Sequence, residues 1–303
     1  MKSILITTGN GMFGKALATE LLESGVRVRI MVRDKSKCNI ENPNAEIVVA
    51  DMDKPETLRS IMAGIDSVFL SAPIDKKIAE REKNVIDAAR ENGVGQIVKI
   101  YGAVKHEGDQ LVEEHTRALD HLRNSGIPWT LISPNSVMET SLLSMAASIK
   151  FMHAIYGCSG SGRIGMVALK DVTSATAVVL TTPGHAGMNY ELTGPESLDM
   201  DAVASRFTKV LSRNISYIDL SEERFAKMIM KFDKSMTPER LELEVLCHLR
   251  AWKHGKADLV TSTFRKLTGT EPTPLETFIT ENLETFLKGM VPGYFAWLMR
   301  KTV

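Results

Sequence analysis

Along the first half of the chain, short apolar runs of buried-strand type alternate with stretches whose apolar residues recur at helical spacing. Ser3 to Ile6 runs into glycines, an amphipathic stretch from Lys15 to Glu23 stops at Ser24-Gly25, and Val26 to Val32 reads as the next strand. Glu46 to Ala50, Ser67 to Ala72 and Gln96 to Ile100 are further strands, with helices predicted over 55–62 and 78–92, the second ended by Gly93. A helix from about Glu113 to Asn124 and a strand from Trp129 to Ile132, closing at Pro134, continue the rhythm. The alternation predicts an α/β fold built on a doubly wound parallel Rossmann sheet, in which ligands bind beyond the carboxyl ends of the strands.

Past Pro134 the pattern changes. Leu142, Leu143 and Met145 lie in an apolar helix, Gly157-Cys158-Ser159-Gly160-Ser161-Gly162 reads as a flexible connector, and the helix Asp171 to Leu180 with the strand Tyr190 to Leu192 is expected to rejoin the sheet. The remainder is predicted to be mainly helical. Thr237-Pro238-Glu239 and Thr273-Pro274-Leu275-Glu276 each place a hydroxyl N-cap before a proline, with Glu276 at capping-box spacing. The expected organisation is a nucleotide-binding sheet domain over 1–150, rejoined by about 165–193. A smaller, mainly helical substrate domain would cover 194–303, with 151–164 contributing.

The first loop carries the clearest chemistry. Thr8-Gly9-Asn10-Gly11-Met12-Phe13-Gly14 spaces its glycines G-x-G-x-x-G between a strand and a helix, which reads as a dinucleotide clamp. Gly9 would take a tight turn, Gly11 would leave room for a pyrophosphate, and Gly14 would let the helix pack on the strand. Asp51 and Met52 after the third strand, and Ser71, Ala72 and Pro73 after the fourth, fall on the same carboxyl edge. The second strand ends in Val32-Arg33, with Lys37 four residues on, where an NAD enzyme has an acid. Two cations there favour the 2′-phosphate of NADPH over NADH. Asp34 stands at the NAD-like spacing and argues the other way, and Arg33 as an ordinary exposed arginine is the alternative.

Composition narrows the partners. Lys+Arg and Asp+Glu both number 37, so the net charge is zero, and no basic tract invites nucleic acid or an anionic membrane; a small molecule fits better. Cys38, Cys158 and Cys247 are scattered without a C-x-x-C, which suggests neither a disulfide framework nor a zinc site. A strand beginning close to Met1 leaves no room for a secretion signal, no apolar run reaches the ~18 residues of a membrane span, and a cytoplasmic location is expected. There is no G-x-S-x-G elbow and no H-E-x-x-H, and His248 and His254 lie among apolar, basic and glycine neighbours, so hydrolytic and metal chemistry are disfavoured.

The glycine loop, the Val32-Arg33 strand end, Ser125-Gly126-Ile127-Pro128-Trp129-Thr130, Pro134-Asn135-Ser136-Val137-Met138 and Tyr190-Glu191-Leu192-Thr193-Gly194-Pro195-Glu196 together resemble the NmrA-like branch of atypical short-chain dehydrogenases/reductases. That family includes triphenylmethane reductase, a bacterial NADPH:quinone oxidoreductase and ergot-alkaloid-type reductases, the last similar also around Leu267-Thr268-Gly269 and Glu271-Pro272. Two departures stand out. Thr8 occupies the place of the family's first loop glycine, and Ser133-Pro134 replaces its Arg-Pro.

The resemblance implies an NADPH-dependent reductase that passes hydride to a small conjugated electrophile of quinone, enone, iminium or triarylmethane type. The alternative is a non-catalytic NAD(P)H-binding redox sensor that regulates a partner protein. The helical tyrosine and lysine of ordinary short-chain dehydrogenases are missing, because Tyr101-Gly102-Ala103-Val104-Lys105 starts at a strand end, not on a helix. Tyr101 instead falls where such enzymes have a serine, and His115 where they have the tyrosine and where isoflavone-reductase-like proteins carry a lysine. His115 is the candidate proton donor, because an imidazole titrates near neutrality; a capped surface histidine is the alternative. Asn135, Ser136 and Met138 are candidate substrate contacts against ordinary loop and core packing. Phe151, Met152 and Tyr156 would form an apolar lid, or simply core.

Overall fold

The computed structural model describes residues 2–102 and 109–287. Strand β1 (Ser3–Ile6) leads through the glycine loop into α1 (Met12–Glu23), followed by β2 (Arg27–Val32) and β3 (Ala45–Val49). Next come α2 (Leu58–Ile61), β4 (Ser67–Leu70), α3 (Ile78–Glu91), β5 (Gln96–Ile100), α4 (Gln110–Asn124) and β6 (Trp129–Pro134). Two short strands, β7 (Ser136–Val137) and β8 (Ala154–Gly157), flank α5 (Met138–Leu142), and β9 (Met166–Val167) and α6 (Leu169–Thr181) precede β10 (Asn189–Leu192). The central sheet has seven strands in the order β10-β6-β5-β4-β1-β2-β3, every pair parallel. This is the doubly wound order, and its direction reverses between β1 and β4.

Both sheet faces are covered, which is why the strands read as unbroken apolar runs. Ile4, Ile6, Val28, Ile30, Phe69 and Val98 pack under α1 and α6. Leu5, Met31, Val68, Leu70 and Ile97 point the other way, onto Leu58, Val85, Ile86, Ala89 and Leu122 of α2, α3 and α4. Strand β10 joins the outer edge beside β6, as the pattern around 165–193 predicts.

The second half contains α7 (Met200–Leu211), β11 (Ser216–Asp219), α8 (Glu222–Phe232), α9 (Pro238–Leu241), α10 (Cys247–Lys253), α11 (Thr263–Thr268), α12 (Leu275–Glu281) and α13 (Leu283–Leu287). Its core runs from Met138 to Phe286 and includes Phe207, Trp252, Phe278 and Ile279, while Phe264 of α11 returns to the sheet core. Strand β11 is not in the helical reading of this half. It pairs in parallel with β8, and the alternation Ser216-Tyr217-Ile218-Asp219 carries the strand period. No helix among the described residues is long and apolar enough to cross a membrane.

Two local expectations are corrected. The Gly157–Gly162 segment is not a flexible connector. Cys158 and Ser159 are buried, the Gly160 amide donates to Asp219 Oδ1 at 3.0 Å, and a Cβ on Gly162 would overlap the Trp252 carbonyl. Thr237 does cap α9 through the Arg240 amide, but Thr273 caps nothing. Its amide (2.7 Å) and hydroxyl (2.8 Å) both donate to the buried carboxylate of Asp171 on α6, and Glu276 pairs with Arg206 instead of closing a capping box.

Replacing Asp171 by Ala strands the buried Thr273 amide and hydroxyl without an acceptor. Chemical denaturation is expected to show a loss of about 2–4 kcal/mol, with a smaller loss for Asp171→Asn, which keeps one acceptor oxygen.

Candidate active site

The glycine loop sits at the point where the sheet order reverses. Thr7 Oγ1 donates to the Ser71 carbonyl (2.8 Å) and accepts from the Ser71 amide (3.1 Å), tying the ends of β1 and β4 together, and the Thr8 and Ser71 hydroxyls bond to each other. The hydroxyl of the residue that replaces the family's first glycine therefore has a partner. Gly9 does not have a left-handed φ, so a tight turn is not what requires glycine there. A Cβ on Gly9 would overlap Ile30 of β2, and one on Gly14 would overlap the Thr8 carbonyl. Gly14 accordingly holds α1 against the loop and does not line the cavity. Gly11 is the N-cap of α1, without a side-chain cap and with no acid in the first turn. The first amides of α1 are left for an anion, the arrangement that suits a pyrophosphate.

Arg33 and Lys37 lie along the same cavity, as do Asp51, Met52, Ser71, Ala72 and Pro73. Asp34 Oδ1 accepts from the Ser36 amide (3.0 Å) and hydroxyl (2.7 Å), capping the turn Lys35–Lys37. Those hydrogen bonds hold its carboxyl below the usual range. Arg33 forms no hydrogen bond or ion pair among the described residues, and Lys37 Nζ lies 3.8 Å from Asp34. The NAD-like acid is thus engaged in its own turn, while an exposed guanidinium stands at the strand end.

Farther along the carboxyl edge, four side chains meet. Lys99 on β5 and Glu82 on α3 are fully buried, with Nζ 2.5 Å from Oε2. Burial raises the Glu82 carboxyl, opposed by the Lys99 charge. Lys99 Nζ also lies 3.2 Å from His115 Nδ1 and donates to the Ile100 carbonyl at 3.2 Å. An ammonium has only protons to give, so Nδ1 accepts and the ring proton sits on Nε2. Tyr101 is buried beside this group, edge-on to the His115 ring at 5.8 Å, with the Lys99 ammonium 5.9 Å from its own centroid. His115 lies in the second turn of α4, not at a helix start, and lines the cavity with Tyr101 and Glu82. Lys105 is outside the described residues.

Sequence reasoning missed Lys99 and Glu82, although both left a signal. Lys99 interrupts the apolar run of a strand buried on both faces, and Glu82 stands at Ile78+4 on the stripe that carries Val85, Ile86 and Ala89. A charge in either place needs a buried partner.

The cavity measures about 1560 Å³, above the about 300–1,000 Å³ of an ordinary small-molecule pocket. It continues from the glycine loop past His115 to Asn135, Ser136, Met152 and Tyr156, and is closed by α8 and the 242–253 helical segment. Asn135 Nδ2 donates to the carbonyls of Gly165 (3.1 Å) and Ala257 (2.8 Å), clasping the chain behind the cavity wall, and its buried Oδ1 has no partner among the described residues. Ser136 is bonded to the Ser141 hydroxyl at 2.9 Å. Met138 and Phe151 do not line the cavity. Met138 points from α5 into the helical core, and Phe151 is exposed under the Lys150 ammonium.

Residues 9–148 match a family model described as NAD(P)H-binding. The NAD(P)H azoreductase of Xenophilus azovorans is 27% identical over 230 residues, 75% of this chain and 80% of that protein. Quinone oxidoreductase 2 of Escherichia coli strain K12 is 28% identical over 232 residues, 74% of this chain and 79% of that protein. Among solved structures, the NADPH-dependent quinone oxidoreductase of Escherichia coli complexed with NADPH gives a TM-score of 0.82 at 25% identity, covering 92% of this chain and 99% of that one.

Removing one member of a buried ion pair leaves the other charged and unpaired. Lys99→Met is therefore expected to cost about 3–5 kcal/mol, and the double variant Lys99→Met/Glu82→Leu to recover most of it. A double-mutant cycle in urea measures both; equal losses in the single and double variants would show that the pairing is not what holds the two charges inside.

Proposed function

We propose that this chain, an NAD(P)H-dependent oxidoreductase of the NmrA-like branch of atypical short-chain dehydrogenases/reductases, uses NADPH to reduce a small, flat, conjugated acceptor of quinone, enone, azo, iminium or triarylmethane type. One observation carries this reading: a single cavity joins the uncapped end of α1 and the exposed Arg33 to Tyr101 and His115, and then to a mostly apolar helical wall. The quinone and azo acceptors of the two relatives are conjugated in the same way.

NADPH bound along the glycine loop would supply the hydride. The first amides of α1 would hold its pyrophosphate, with Thr8, Asn10, Met12 and Phe13 beside it, and Arg33 and Lys37 would meet the 2′-phosphate. Asp51, Met52, Ser71, Ala72 and Pro73 would border the remainder. Tyr101 packs against His115 and orients it. When a substrate oxygen gains negative charge, His115 passes it the Nε2 proton while Lys99 supplies one at Nδ1. The ring stays neutral and Lys99 is left uncharged beside Glu82. Asn135 and Ser136 form the floor of the pocket, and Met152 and Tyr156 shape its apolar side.

NADPH oxidation with a panel of quinones, enones, azo compounds and cationic dyes tests the whole reading. Oxidation with none of them would overturn it in favour of a dinucleotide sensor. Calorimetric titration is expected to show NADPH binding more tightly than NADH, with Arg33→Ala reducing that preference about 10- to 100-fold. His115→Ala is expected to lower kcat with a quinone or enone about 10²–10⁴-fold at little cost in NADPH affinity, and to matter far less for a triarylmethane cation, which takes hydride without a proton.

A further inference from the structure

The far wall of the cavity contains a polar group that no step above uses. Phe225, Met228, Ile229 and Phe232 of α8 stand at helical spacing and face the cavity, and opposite them the 242–253 segment presents Val245, His248, Leu249 and Trp252. Glu244 on that wall is already paired with Arg240, at 2.9 Å. His248 forms no hydrogen bond or ion pair among the described residues. Its chain neighbours Cys247 and Leu249 are each 4% exposed, so the helix is packed in place, and His248 itself is half-buried and lines the cavity.

We propose that His248 binds a substrate oxygen set away from the carbon that accepts hydride. The inference rests on the reductase reading above and narrows its substrate class to acceptors with two separated polar ends, such as 1,4-quinones, over those with one. The supporting chemistry is direct. Burial holds the imidazole below the usual histidine range, so it is neutral near pH 7 and offers one N–H donor and one lone pair to an uncharged carbonyl or hydroxyl. A donor with no partner among the described residues, set in a mostly apolar wall, discriminates strongly, because a ligand that lacks the matching atom covers that donor and leaves it unsatisfied. An apolar wall alone would accept either kind of substrate.

The test is steady-state kinetics with NADPH and two matched acceptors, a 1,4-quinone and the cyclic enone that lacks its second oxygen. The wild type is expected to show a KM about tenfold lower for the quinone, an advantage that collapses in His248→Leu and returns in His248→Gln, which keeps a donor and an acceptor. The Kd for NADPH, measured by calorimetry, is expected to stay at the wild-type value in both variants. The same quinone-to-enone KM ratio in wild type and His248→Leu would overturn the assignment, as would wild-type KM values that do not differ. If His248→Leu does not accumulate as folded protein, His248→Phe replaces it. A wild-type protein that oxidises NADPH with neither acceptor nor with any of the panel overturns the reductase reading itself, a result distinct from an unchanged ratio.

Discussion

The close approach of α1 to the end of β1 sets the position of everything else in the site. Gly9 lies against Ile30 and Gly14 against the Thr8 carbonyl with no space for a methyl group, so the N-terminus of α1 is drawn up to the place where β1 and β4 part. The Thr7–Ser71 hydrogen bonds pin the two strand ends across that opening. Because no side chain caps α1, the unsatisfied amides and the positive end of its dipole remain for a ligand phosphate. A side chain at Gly14 would push α1 away from the Thr8 carbonyl, and one at Gly9 would push the loop away from Ile30 of β2.

The buried Lys99–Glu82 pair is the second constraint, and it works against stability. Taking both charges out of water costs several kcal/mol per ion, which their attraction only partly offsets, and apolar residues of similar size would pack there more cheaply. What the pair provides is a fixed ammonium at 3.2 Å from His115 Nδ1, which selects one tautomer of a histidine on the cavity wall. A solvated lysine on a surface helix would not hold one ring nitrogen so consistently.

The helical half covers the cavity opposite the sheet and differs from it in character. The sheet edge supplies amides, hydroxyls and charges, whereas α8 and the 242–253 segment supply mostly aromatic, aliphatic and thioether side chains, with His248 and the Arg240-paired Glu244 among them. A dinucleotide has phosphates and ribose for the first surface, and a conjugated acceptor has an extended apolar face for the second. The two meet beside Tyr101 and His115.

The alternation of apolar strands and amphipathic helices, the G-x-G-x-x-G spacing and the cationic end of β2 were all readable in the chain, because each is local: a strand period, a helix period or a loop requirement spans only a few neighbouring residues. The doubly wound sheet follows from them, and so does the return of β10. What the chain by itself did not determine lies between residues far apart in sequence. Asp34 has the spacing of an NAD ligand, but only its hydrogen bonds to Ser36 show that its carboxylate is engaged in a turn. Thr273 has the pattern of a cap, but a carboxylate 102 positions earlier takes both its donors. Met138 sits in a run that leads to the cavity and Phe151 resembles a lid, yet the direction in which each leaves its helix sends one into the core and the other into solvent. Lys99 and Glu82 each look like an isolated charge in an apolar pattern. Folding β5 against α3 makes them a pair, and that pair fixes the tautomer of a histidine on a third element, because buried charges must find partners wherever the fold brings them.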